Sequence, residues 1–149
     1  MDDRKKEYLD VLNQKLDALT KVLNSTKRLK LTGEGESEQL EQEAEAFSSL
    51  YEQRANVITK IEKMDESLAQ FKDLENDKQF AKVRQPVVDK IKKTAKAIAE
   101  LDKKNIEISN KLMEFLKGNL KKIRDGRDIN NAYTEDHVST SGYHFDSTK

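Results

Sequence analysis

Leucines at a three-four alternation fix the class of fold this chain can adopt. Leu9, Leu12, Leu16, Leu19 and Leu23 recur at helical spacing, and Val11 and Val22 widen the stripe. Such spacing lays one apolar seam along a helix, whereas a half-buried strand needs strict alternation. A first helix is therefore expected from Asp3 to about Leu31. Gly33 and Gly35, set among Thr32, Glu34 and Glu36, break it. The break is soft, because glutamate is a good helix former.

Ser37 can cap a second helix, with Glu38, Glu41 and Glu43 near its positive end. Its seam reads Leu40, Ala44, Phe47, Tyr51, Arg54, Ile58, Ile61, Asp65 and Leu68. Leu50, Val57, Met64 and Phe71 run beside it at intervals of seven. Arg54 and Asp65 interrupt this seam; they are read as reaching water from the bundle edge, with a buried register-setting role as the alternative. Asp73 to Gln79 is a polar crossing. Pro86 would remove a helical donor and clash with the preceding turn. The expectation is thus a short helix or turn over residues 78–85 and a third long helix starting near Pro86, where proline is tolerated. That helix carries Val87, Ile91, Ala95, Ile98, Leu101, Ile108, Leu112, Phe115 and Leu116, then Leu120 and Ile123. Asn105 falls in its seam, at a polar contact or an exposed edge.

Composition agrees with stripes rather than a thick core: 35% of residues are hydrophobic and 38% charged, with five Gly and one Pro. The fold class expected is all-α, an elongated antiparallel three-helix bundle of long helices. Residues 1–125 would form the bundle and 126–149 a flexible polar tail. An acidic start to the second helix (Glu34 to Glu45) against lysines of the third (Lys90 to Lys104) favours neighbouring positions. Seams that close such a bundle also suit homo-oligomers.

Chemistry is poorly provided for. Twenty-eight basic residues balance twenty-eight acidic ones, so nothing pulls the chain toward nucleic acid. The lysines of the third helix lack the interleaved aromatics of a base-stacking surface. Without cysteine there is no disulfide, thiolate or sulfur-ligated metal. His137 and His144 stand in the tail without a supporting ligand cluster. No phosphate-binding glycine loop is present, and the carboxylates recur as solvated helix faces. The expectation is no enzyme, no cofactor and no metal. No stretch approaches the ~18 apolar residues of a membrane span, nor the apolar core of a signal peptide. A cytoplasmic location is expected.

What remains is binding. Leu112, Phe115, Leu116, Leu120 and Ile123 carry the stripe beyond the expected reach of the other helices, the alternative being that they cap the bundle core, which is the favoured reading for Leu112 and Phe115. Tyr133, Tyr143 and Phe145 are aromatics in a tail that has no folding need of them. These eight are the candidate partner-binding residues. The helical plan of residues 1–125, the basic helix end Lys121-Lys122-Ile123-Arg124 leading to Asn130-Asn131-Ala132-Tyr133, and Gly142-Tyr143-His144-Phe145-Asp146 near a terminal lysine together resemble the FlgN-type flagellar export chaperones. That resemblance implies a cytoplasmic protein that binds hook-associated flagellar subunits, keeps their helical segments soluble and delivers them to the type III export apparatus of the flagellum. FliT-like chaperones share this plan, so the filament-cap protein is an alternative client. A structural coiled-coil or adaptor protein that self-associates through the same seams is the other reading.

Overall fold

The computed structural model describes residues 1–119, with side chains described to Lys117. Three α-helices follow one another: α1 (Asp3–Arg28), α2 (Ser37–Ala69) and α3 (Lys78–Asn119), with a 3-10 turn at Lys72–Asn76 before α3. At 1.5 Å per residue they are about 39, 50 and 63 Å long. The all-α, three-helix expectation holds.

Register is set by pairs far apart in sequence. Tyr8 meets Phe71 and Phe80 edge-on at 5.5 and 5.6 Å. Lys15 binds Asp65, and Leu40 and Ala44 pack with Leu112 and Leu116. Thus α1 and α2 run antiparallel, α2 and α3 antiparallel, and α1 lies parallel to α3. The seam of α1 delivers Leu12, Leu19 and Val22 to a lower core shared with Ile61 of α2 and Ile91, Ala95 and Ile98 of α3. Leu40, Ala44, Leu112, Met113 and Leu116 form a separate upper core.

The expected break at residues 78–85 is absent. α3 starts at Lys78 and runs through Pro86. Asp77 initiates it, its Oδ1 accepting from the amides of Gln79 and Phe80, and Phe80 seals the lower core beside Tyr8. Capping and aromatic burial together outweigh the lost bond to the Lys82 carbonyl. The irregular element lies earlier, at Lys72–Asn76, where Leu74 plugs the bottom of the bundle. α1 also ends sooner than expected, at Arg28, with the amide of Leu29 bonded to the Thr26 carbonyl.

Because Tyr8 lies level with Phe80, α1 ends near the level of Glu100. α3 then continues for roughly 19 residues, about 28 Å, beyond the end of α1. Ser37, which begins α2, lies near the far end of that overhang, since Leu40 and Ala44 meet Leu112 and Leu116. Eight residues, Leu29–Glu36, must climb the gap. Fully extended they span about 26 Å, so the connection has no slack for a compact turn.

Candidate functional site at the upper end of the bundle

The upper end begins at a buried polar joint. Arg54 of α2 forks onto Asp102 of α3, with Nη1 and Nη2 donating to Oδ1 and Oδ2 at 2.5 and 2.8 Å. The Tyr51 hydroxyl donates to the same Oδ1 at 2.5 Å. Phe47 stacks on Tyr51, whose ring also lies under the Arg54 guanidinium. Burial pushes the Tyr51 hydroxyl well above the ordinary tyrosine range, and the charge of Asp102 adds to it. Burial works against the Arg54 cation, but Asp102 more than restores it and holds the guanidinium charged. Asn105, one turn on, is buried beside Tyr51.

The reading of Arg54 as a side chain reaching water is therefore corrected: it is 2% exposed. The missing information was its partner, 48 residues away. Asp65 does stay partly exposed, but it receives Lys15, a buried lysine inside the α1 seam. Lys15 falls on the four-three alternation of Tyr8, Leu12, Leu19 and Val22, but its charge reads as an edge residue until Asp65 is placed beside it.

Above the joint, the place that α1 fills lower down is taken by the connection Leu29–Glu36, which acts as a strap. One carboxylate holds it. Glu43 accepts from the amide of Thr32 at 2.6 Å, from the Thr32 hydroxyl at 2.7 Å and from the amide of Gly33 at 3.0 Å. Burial alone would raise the Glu43 carboxyl, but the Gly33 and Thr32 hydrogen bonds outweigh it and bring it below the usual glutamate range. Gly33 and Gly35 both have positive φ, 68° and 119°. At Gly33 the lack of a side chain also permits close approach, since a Cβ there would lie 3.1 Å from Cγ2 of Ile108.

The sequence-predicted partner-binding residues divide sharply. Leu112 and Leu116 face inward, 1% and 8% exposed, against Leu40 and Ala44. Phe115 is half-buried at the edge of this core beside Ile108. Leu120, Ile123, Tyr133, Tyr143 and Phe145 lie outside the described residues, as do both histidines and the boundary between bundle and tail. Contributors that the sequence reading passed over are Met113, Glu43 and Thr32. Glu43 had been counted only as part of an acidic helix start.

A shallow concavity of about 210 Å³ opens between α1 and α2, lined by Lys21, Val22, Leu50, Gln53, Arg54 and Val57. Among the described residues no group of acidic or histidine side chains is arranged to hold a metal ion, and no helix is long and apolar enough to cross a membrane. No family model, curated protein or solved structure matches the chain.

Proposed function

We propose that the protein is a binding protein of the flagellar export-chaperone kind, one that shelters the amphipathic helical segments of hook-associated subunits in the cytoplasm and passes them to the export apparatus. One observation supports this reading above the rest. α3 outruns α1 by roughly 19 residues, and over that length its third neighbour is a glycine-bearing strap rather than a helix. A helical bundle lacking one helix over part of its length offers a site where a guest helix completes the packing. In sequence the stripe through Leu112 and Leu116 also continues to Leu120 and Ile123. The tail aromatics Tyr133, Tyr143 and Phe145 would add contacts to client or export machinery. No cofactor, metal or catalysis enters this mechanism.

The test is co-purification of the full chain with individually expressed hook-associated subunits and with the filament-cap protein. Replacing Leu120 and Ile123 by Ser is expected to weaken the complex while leaving helix content nearly unchanged by circular dichroism. A fall in helix content would assign both leucine and isoleucine to the core instead. Removing residues 129–149 tests the aromatics, and undiminished binding and export would exclude them. The competing reading, a self-associating adaptor, predicts a stable oligomer by light scattering and no one-to-one complex with any of these subunits.

A further inference from the structure

We infer that the strap Leu29–Glu36 is a displaceable cover, and that the upper groove beneath it admits an amphipathic partner helix carrying lysines along one edge and acids along the other. The inference rests on helix capture as the function and says how the same site is gated and what charge pattern it selects.

The strap fills the third-helix position with little apolar substance. Leu29 and Leu31 are only half-buried, and Gly33 contributes no side chain over Ile108. Its specific hold is the three hydrogen bonds to the one Glu43 carboxylate. A helix placed there would cover Ile108 and Phe115, the two apolar side chains the upper core leaves half-buried. It would do so with a continuous apolar stripe, which eight strap residues cannot supply.

The two walls of the groove differ in charge. On α2, Glu43 lies along the strap, with Gln39 one turn before it against Gly35. On α3, Lys111 lies beside Gly33, and Lys104 falls on the same line one heptad earlier. A guest with lysines facing α2 and glutamates facing α3 satisfies both walls. Displacing the strap takes away three of the hydrogen bonds to Glu43 and leaves that of the Gln39 side chain, so the carboxylate is open to one of those lysines. The carboxylate that closes the groove thus becomes a contact of the occupant, so a guest with the wrong edge leaves that charge under-satisfied.

The experiment uses the full chain and a fluorescent synthetic peptide of about 18 residues, one overhang long, with leucines at helical spacing, lysines on one edge and glutamates on the other. A second peptide carries the two charged edges exchanged. Because the chain has no cysteine, a G33C/I108C variant can lock the strap to α3. A Cβ at residue 33 would lie 3.1 Å from Cγ2 of Ile108, one carbon–carbon bond from that residue's Cβ, so the two Cβ atoms can come within the ~3.5–4.5 Å that a disulfide needs. The reduced form of the same variant controls for strain at residue 33. The first peptide is expected to bind the reduced form and to lose at least about tenfold in affinity on oxidation, as the open fraction vanishes. Thr32→Val, which removes the hydroxyl's bond to Glu43 and its bonds with Glu34 inside the strap and spares the Glu43 side chain, is expected to tighten binding by about three- to tenfold. The edge-exchanged peptide should bind more weakly than the first.

Equal affinity of oxidised and reduced forms, or no binding to the reduced form, overturns the inference. If Thr32→Val produces a dimer by light scattering instead of tighter peptide binding, the groove belongs to a second copy and the partner-helix assignment fails. Failure of the wider reading looks different. Hook-associated subunits that bind oxidised and reduced forms alike would remove the strap's role and keep the chaperone. Peptide binding gated by the disulfide, with no subunit bound in any state, would keep the strap and remove that client class.

Discussion

The lower and upper halves of this bundle share two helices and differ in the third. Below the Arg54–Asp102 joint, α1 brings Leu12, Leu19 and Val22 into a core closed at its base by Tyr8, Phe71 and Phe80. Above it, Leu40, Ala44, Leu112, Met113 and Leu116 pack with a strap alongside. Burial at the core positions is as complete above as below: Leu112 is 1% exposed and Leu19 0%. What differs is the means of covering them. A helix supplies a continuous apolar stripe and satisfies its own backbone, whereas the strap depends on side-chain acceptors such as Glu43. Local opening should therefore begin at the upper end, where fewer apolar groups must separate.

The joint is where the comparison breaks most readily. Asp102→Ala leaves the Arg54 charge buried without its fork, and a loss of about 3–5 kcal/mol in urea unfolding is expected. Replacing Arg54 and Asp102 together by leucine should recover most of that loss. If the double replacement is as damaging as the single one, packing rather than charge holds the joint.

Next come the two cores themselves. Leu19→Ala and Leu112→Ala should both fall in the range of about 2–5 kcal/mol, with Leu19 the more costly because α1 cannot close over the cavity as the strap can. Equal losses in denaturant would erase the distinction between the halves.

Glu43→Gln bears on the strap alone. It should cost about 1–2 kcal/mol and speed amide exchange at Thr32 and Gly33 while sparing the middle of α1. Uniformly faster exchange would mean that the strap and the three-helix half open as one unit.

The smallest effect is on pH dependence. Glu43 in the folded chain lies below its ordinary value of 4.5, so its contribution is complete above that value and disappears as pH falls through the depressed one. The stability gap between the parent chain and Glu43→Gln should accordingly narrow below pH 4.5. Asp73 and Asp77, lowered by Arg4 and Lys5, act with the same sign but in both proteins, and cancel from the difference. A gap that stays constant to the most acidic folded condition would show that Glu43 does not hold the strap through its charge.

Much of the architecture was legible because period and punctuation are local. The seam of α2 was readable almost residue by residue, while in α1 Leu12, Leu19 and Val22 were legible but the buried Tyr8, Lys15 and Thr26 beside them were not; Gly33 and Gly35 marked the break between the two helices. Pro86 misled for the same reason. Its cost is local and visible in sequence, while the burial of Phe80 against Tyr8, 72 positions earlier, is not. Arg54 and Lys15 were hidden likewise: an ionic residue in a seam looks like an edge residue until its partner is placed. Leu112 and Leu116 could be recognised as stripe residues, but the stripe does not say which of its members meet α2.

By itself the sequence determined that the chain is helical, how many long helices the described region contains and which face of each is apolar, because these follow from side-chain spacing on a backbone with a fixed period. Only the tertiary structure decided that α1 stops short of its neighbours, that Asp102 answers Arg54, and that Glu43 secures a strap where a third helix could lie. Those features depend on register between segments tens of residues apart, and no local pattern encodes the level at which two helices meet.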